Sequence, residues 1–268
     1  MIKAVFIDID GTLKNSKKEI SKKTQSEIER CIQKGIKIIL TSGRSRKETI
    51  EYQEQLKTSP YIISSNGASC YDIERKKEIY NIPLKKQIAQ QLLEYANKNN
   101  YNIKFNYKDK LVLNKAAYPD EKDKEKTIDE LKNIIQDENI VQCVILNSDI
   151  EKMKKLKDFL KENFPETKIV NESKKIENPD LKPSKKYYCD IVSMGVSKGT
   201  AVSEMCKYLN IKTEEIITIG DGENDVSMFN ITPYSVVMGN ALDNVKKHAK
   251  YKTATNDEDG VAKVLERL

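Results

Sequence analysis

The amino-acid sequence predicts an α/β protein: a Rossmann-like, doubly wound parallel sheet interrupted by an inserted α+β domain. Three observations predict it. The short unbroken apolar run Ala4–Ile7 and the apolar-rich segments Ile36–Leu40 and Ile216–Ile219 suit strands buried on both faces. Helically spaced segments separate the early strands, which gives β-α-β-α-β up to Ser64. Hairpins and charged helices then replace that order, and it resumes from Asp190. The expected division is an outer domain of residues 1–82 and 189–268 around an insertion at 83–188.

Each element has its own signal. The first strand, Ala4 to Ile7, runs into Asp8-Ile9-Asp10-Gly11-Thr12. Ser21 to Lys34 is helical through Ile28 and Ile32; Thr24 and Glu27 have capping-box spacing, and Gly35 ends the helix. The second strand stops at Thr41-Ser42-Gly43-Arg44. A helix covers Arg46 to Leu56, and a third strand, Tyr61 to Ser64, ends at the turn signal Ser65-Asn66-Gly67. A hairpin-like stretch then reaches Pro83. In the insertion, helices are expected over Gln87–Asn97, Glu121–Gln136 and Asp149–Asn163, the last capped by Asp149. Tyr101–Asn106 and Leu111–Asn114 read as a hairpin around Lys108-Asp109, and Val141–Leu146 and Lys168–Val170 as strands. The polar stretch Asn178–Lys186, with Pro179 and Pro183, is the expected return linker. Val196-Ser197-Lys198-Gly199 opens a helix to Leu209, and the strand Ile216–Ile219 enters Gly220-Asp221-Gly222-Glu223-Asn224-Asp225. A short helix through Met228 and Phe229, a strand at Ser235–Met238 and a helix at Gly260–Leu268 complete the order.

Composition narrows the function. The 268 residues suffice for a real core, and the 38% hydrophobic and 33% charged shares exclude a disordered chain. Net charge is +6, but lysine pairs such as Lys174-Lys175 and Lys185-Lys186 are short and sit among acids. That describes a solvated surface and not a nucleic-acid face. The five cysteines form no C-x-x-C pair, so neither a zinc site nor a disulfide framework is expected, and they read as core residues. No apolar run is long enough to span a bilayer, and no signal-peptide pattern precedes the first strand. The expectation is a cytoplasmic protein without nucleic-acid or membrane partners, monomeric or a small homo-oligomer. The single histidine, His248, lies in a polar segment, which leaves the chemistry to carboxylates, lysine and hydroxyls.

Three strand ends carry such groups: Asp8 with Asp10, Thr41 with Ser42, and Asp221 with Asp225. In a parallel sheet these ends lie side by side, where ligands bind. Asp-Gly is also an ordinary turn, but four carboxylates at one edge repel and raise each other's pKa unless a cation joins them. Hard oxygen donors on a short loop point to Mg2+. Lys198 opens a helix, where the macrodipole disfavours a cation by roughly 0.3–1 kcal/mol. It is either a surface lysine that tolerates this cost or a group facing, with the helix end, a shared anion such as a phosphoryl group.

Together Asp8-Ile9-Asp10-Gly11-Thr12, Ser42-Gly43-Arg44, Lys198 and Gly220-Asp221-Gly222-Glu223-Asn224-Asp225 resemble the four ordered motifs of the haloacid dehalogenase (HAD) superfamily. The insertion resembles the type IIB cap of its Cof-type phosphatases, and Asn66-Gly67-Ala68 and Met238-Gly239-Asn240-Ala241 match the same subfamily. The resemblance implies a HAD-like core with a specificity cap. It implies an Mg2+-dependent phosphatase that hydrolyses small phosphorylated metabolites, sugar phosphates among them, through an aspartyl-phosphate. Asp8 would be the nucleophile; Asp10 would protonate the leaving oxygen and then activate water. The Asp8 and Asp221 side chains and the Asp10 main-chain carbonyl would hold Mg2+, with Asp225 supporting them. Lys198 would neutralise charge on Asp8 and the phosphoryl group.

The family's hydroxyl stands directly before Gly-Arg. This selects Ser42 as phosphate ligand, with the Gly43 amide beside it, and leaves Thr41, which points the other way, as structural. Asn224 and the Ile9 amide would also meet the phosphate, with the Ile9 side chain in the core. Thr12 would steady the Asp loop through local hydrogen bonds. Arg44 and Asn66 would contact substrate near the cap, or serve only as an ion-pair partner and a turn residue. Two other readings are a phosphosugar mutase of the same superfamily, told apart by an isomerised product, and a phosphoaspartate signalling switch, which needs neither a cap nor a second acid at Asp10.

Overall fold

The computed structural model describes residues 1–172 and 187–268. In chain order the elements are β1 (Ala4–Ile7), α1 (Lys22–Gln33), β2 (Lys37–Thr41), α2 (Arg46–Leu56), β3 (Tyr61–Ser64), β4 (Ser69–Asp72) and β5 (Lys77–Asn81). Then come α3 (Lys86–Lys98), β6 (Asn102–Tyr107), β7 (Lys110–Leu113), α4 (Ile128–Asp137), β8 (Gln142–Asn147), α5 (Ile150–Asn163), β9 (Thr167–Glu172) and β10 (Tyr187–Ser193). The chain closes with α6 (Lys198–Leu209), β11 (Ile216–Gly220), α7 (Val226–Phe229), β12 (Ser235–Val237), α8 (Asp243–Lys246), β13 (Tyr251–Lys252) and α9 (Gly260–Leu265). These form two compact units, Met1–Asn81 with Val196–Leu268, and Ile82–Gly195.

The first unit holds a sheet of order β13-β12-β11-β1-β2-β3-β4-β5, parallel from β13 to β3 and antiparallel at β4 and β5. Strand order reverses at β1, with β2 and β3 on one side and β11 to β13 on the other. The switch point therefore lies at the C-terminal ends of β1 and β11, the place where open α/β sheets bind ligands. β1 is fully buried because both its faces are covered. Val5 and Ile7 pack with Ile28 and Cys31 of α1 and Val261 and Leu265 of α9. Ala4 and Phe6 pack with Ala201, Val202 and Met205 of α6. Strand alternation then brings Asp8 out on the α6 side.

The second unit is an antiparallel sheet, β7-β6-β8-β10-β9, with α3, α4 and α5 on one face. Ile103, Phe105 and Tyr107 meet Leu92, Leu131 and Leu156 in its core. Alternation puts Asn102, Lys104 and Asn106 on the opposite face, where Lys104 pairs with Glu121.

Several boundaries depart from the sequence expectations. Helix α1 is capped by Ser21, whose hydroxyl accepts the Thr24 amide at 3.1 Å; Glu27 pairs with Arg30, so the expected Thr24–Glu27 box does not form. The single charged helix expected from Glu121 is divided. A 3-10 turn spans Pro119–Lys124, and α4 starts afresh because Thr127 and Glu130 form a reciprocal capping box. Tyr187–Ser193 does not return to the first sheet. It pairs between β8 and β9, and Cys189 and Ile191 fill the second unit's core, so the first unit resumes at Val196 instead of residue 189. Helix α8 and strand β13 are too short to carry a periodic signal. The linker expected at Asn178–Lys186 lies outside the described residues. All five cysteines are buried and none is in a disulfide, and no helix among the described residues is long and apolar enough to cross a membrane.

Gly67, after β3, has φ +97°, and a Cβ there would lie 2.2 Å from the Ser197 carbonyl oxygen just before α6. Both the conformation and the close approach require glycine. Gly67→Ala is expected to cost about 2–3 kcal/mol and lower the thermal midpoint by roughly 5–10 °C, read by calorimetry.

Candidate active site

The site begins where β1 ends. The Asp8 amide donates to the Ile219 carbonyl at 3.0 Å, extending the β1–β11 ladder by one residue and fixing Asp8 beside β11. Lys198 is the first residue of α6, whose N-cap Ser197 accepts the Thr200 amide. Only 1% of Lys198 is exposed, which removes the surface-lysine reading. Its Nζ donates to Asp8 Oδ1 at 2.5 Å and to Asp225 Oδ1 at 2.6 Å. Asp225 is also buried, and its Oδ2 accepts the amides of Asp221 and Gly222 at 2.9 and 2.8 Å. That carboxylate folds the loop after β11 around itself and aims Asp221 at Asp8. One oxygen from each of Asp8, Asp221 and Asp225 falls within 4.8 Å of the others.

Thr12 acts across the site. Its hydroxyl donates to Asp221 Oδ1 at 2.8 Å, joining the loops after β1 and β11, where only local bonds were expected. Gly11 between them has φ +83°, and a Cβ there would meet the Asp221 carboxylate at 2.4 Å. Asn240 holds the same loop, donating to the Gly11 carbonyl at 2.8 Å. Its role was missed; the one signal was its place in Met238-Gly239-Asn240-Ala241. Lys14, buried with its Nζ 2.7 Å from the Tyr52 hydroxyl and 3.8 Å from Asp10, carried no signal at all.

Asp10 does not join the other three carboxylates. Arg44 clamps it with two bonds, Nε to Oδ2 at 2.6 Å and Nη2 to Oδ1 at 2.7 Å, and its side chain stays 52% exposed. Of the two roles left open for Arg44, this structure shows the ion pair. Ser42 is buried; its amide donates to Ile63 at 2.9 Å and its hydroxyl accepts the Arg44 amide at 3.2 Å. The Thr41 hydroxyl is buried without a partner. Asn66, buried at φ +58°, donates its amide to the Ser42 carbonyl and accepts the Asn224 side-chain amide at 3.0 Å. It thereby ties together the loops after β2, β3 and β11. Gly43 packs directly on it, since a Cβ there would lie 3.0 Å from Asn66 Oδ1. The Ile9 side chain is in the core, as its apolar character demands.

A family model for haloacid dehalogenase-like hydrolases matches residues 5–265. The chain belongs to this family. Curated relatives include a 5-amino-6-(5-phospho-D-ribitylamino)uracil phosphatase of Bacillus subtilis, 28% identical over 269 residues that cover 98% of this chain and 94% of the relative. Another Bacillus subtilis phosphatase is 26% identical and aligned over the full length of both chains. Among solved structures, a haloacid dehalogenase-like hydrolase from Bacteroides thetaiotaomicron superimposes with a TM-score of 0.82 at 29% identity, covering 100% of this chain and 99% of that one. Within the superfamily the chain is a Cof-type hydrolase.

The electrostatics of this HAD site separate its two leading aspartates. Burial pushes the Asp8 carboxyl well above the ordinary range; Lys198 opposes this, and the charges of Asp225 and Asp221 add to it. Burial alone would lower the Lys198 ammonium, but Asp225 and Asp8 hold it above its usual value. Burial would also raise Asp10, yet the Arg44 hydrogen bonds and charge bring it below 3.8. Three carboxylates facing one ammonium leave the cluster short of positive charge. Its hard oxygen donors fit a small divalent cation.

Because Asp10 is depressed in the fold, its pair with Arg44 contributes stability above the unfolded pKa and loses it as pH falls through the lowered value. Arg44→Ala should therefore move the Asp10 midpoint upward in a carboxyl-carbon NMR titration, toward 3.8 or above. An unmoved midpoint would show that Arg44 does not set it.

Proposed function

We propose that this hydrolase is an Mg2+-dependent phosphatase acting on small phosphorylated metabolites through an aspartyl-phosphate at Asp8. The observation that carries the reading is the buried Lys198 ammonium held between Asp8 and Asp225 beside Asp221. The phosphatases named among the relatives support it.

Asp8 Oδ attacks phosphorus; a P–O bond forms to Asp8 and the ester P–O bond breaks. Asp10, first released from Arg44 and protonated, gives its proton to the leaving oxygen and later takes one from the attacking water. That water forms the new P–O bond, the Asp8–phosphorus bond breaks, and alcohol and inorganic phosphate leave. Lys198 neutralises charge on Asp8 and the phosphoryl oxygens. The Ser42 hydroxyl, the Gly43 and Ile9 amides and Asn224 orient those oxygens. The Asp8 and Asp221 side chains and the Asp10 main-chain carbonyl would hold Mg2+; Asp225, already committed to Lys198 and two amides, supports them from behind. When bound, the ion supplies Lewis-acid polarisation of the phosphoryl group.

We assign substrate selection to the inserted unit. On its sheet face away from the helices, Asn106 donates to Gln142 at 3.1 Å, leaving one acceptor on Asn106 and one donor on Gln142, both buried and without partners. Native buried polar groups are rarely left so.

Phosphate release from a panel of phosphomonoesters, with Mg2+ and with chelator, tests the chemistry. Asp8→Asn should abolish release with the fold intact, and Asp221→Asn should raise the Mg2+ concentration needed at least tenfold. Metal-independent release, or a turning-over Asp8→Asn, would reject the mechanism. An isomerised ester in place of free phosphate would favour the mutase. Gln142→Leu should raise KM for the preferred ester several-fold with little change in kcat; an unaltered substrate ranking would remove this pair from selection.

A further inference from the structure

A cavity of about 340 Å³ opens in the first unit between α9 and the strands β11, β12 and β13. Its floor is apolar, built from Ile217, Val236 and Val264. Two tyrosines line it, Tyr234 at 40% exposure and Tyr251 at 55%, and both belong to the small set of large apolar side chains left exposed. Three cations also line it, Lys252, Lys263 and Arg267, beside Thr253, Ala254 and Leu268. No carboxylate side chain lines it. Among the described residues none of the three cations makes a side-chain hydrogen bond or ion pair, and neither tyrosine hydroxyl has a partner. Some lysines elsewhere on this surface find acids, as Lys23 does with Glu266 and Lys3 with Glu215. An apolar slot with aromatic walls and uncommitted cations matches a flat ring that bears a negative charge.

The cavity is separate from the active site. Ile217 and Val236 belong to the α9 layer of the sheet, whereas Asp8 emerges on the α6 side. A short chain of hydrogen bonds nevertheless joins the two. Ala254 lines the cavity, and its carbonyl accepts the Gly239 amide at 2.9 Å. The next residue, Asn240, donates to the Gly11 carbonyl inside the Asp8–Thr12 loop and accepts the Asn256 amide at 3.0 Å.

We infer that this cavity is a second small-molecule site, that it takes a planar aromatic carboxylate or sulfonate, and that its occupancy acts on the Asp loop as an effector. The effector part rests on the phosphatase reading; the binding part does not. The probe is 1-anilinonaphthalene-8-sulfonate, an aromatic anion, compared by fluorescence with the uncharged N-phenyl-1-naphthylamine. One saturable site for the anion is expected on the parent protein. The double variant Lys263→Glu/Arg267→Glu should weaken it by about tenfold or more. Val264→Trp, which fills the floor, should also block it.

Basal turnover of p-nitrophenyl phosphate should be unchanged in these variants, whose altered residues lie outside the active site. The probe should shift turnover at least twofold in the parent and leave the variants unaffected. Equal binding to parent and double variant, or equal binding of the uncharged analogue, overturns the site. Charge-dependent binding with no effect on turnover overturns the effector role. A parent that releases no phosphate from any ester instead rejects the phosphatase reading, and the binding comparison still decides the site.

Discussion

The structure around the switch point depends on one constraint: a lysine ammonium buried at the start of α6. Taking an ammonium out of water costs several kcal/mol, and the helix dipole adds to that cost. Lys198 is tolerated because Asp8 and Asp225 receive it at 2.5 and 2.6 Å. Each partner is fixed in turn by backbone, Asp8 through the β1–β11 ladder and Asp225 through the Asp221 and Gly222 amides. Losing Lys198 would leave two buried carboxylates without their cation, at a cost of about 3–5 kcal/mol. The cluster is therefore in place before any substrate arrives, which is what the proposed roles of nucleophile and neutralising cation require.

The same constraint explains why Asp8 and Asp10, two residues apart, behave differently. Asp8 is committed to the interior, where burial and the charges of Asp225 and Asp221 raise its carboxyl against the pull of Lys198. Asp10 lies past the strand, half exposed, and its carboxylate is claimed by Arg44 from the loop after β2. One acid is positioned and the other is held aside. The proposed chemistry needs this asymmetry, since the second acid must exchange partners during the cycle while the first must not move.

Much of the architecture was legible because buried parallel strands announce themselves. The runs Ala4–Ile7 and Tyr61–Ser64 and the helices Arg46–Leu56 and Lys198–Leu209 carry apolar or capping signals that no tertiary contact needs to supply. The exceptions have physical causes. Thr127 starts α4 after the charged stretch before it has formed a 3-10 segment, and propensity alone does not tell one long helix from these two pieces. β10, Tyr187–Ser193, carries no local signal that names its sheet. Which sheet it joins is settled by pairing with β8 and β9, an interaction between residues far apart in sequence.

For the site, the sequence by itself determined the chemistry available. The order and spacing of Asp8, Asp10, Ser42, Lys198, Asp221 and Asp225 identify a superfamily, because acids, a hydroxyl and a lysine at strand and helix ends follow from local pattern. Only the tertiary structure decided how those groups are partnered. It buried Lys198 between two acids, sent Thr12 across to Asp221, tied Asn66 to Asn224, and turned Asp10 to Arg44. The physical reason is that hydrogen bonds and ion pairs act over a few ångströms. A separation such as the 209 residues between Thr12 and Asp221 becomes a contact only once the sheet has set its strand order.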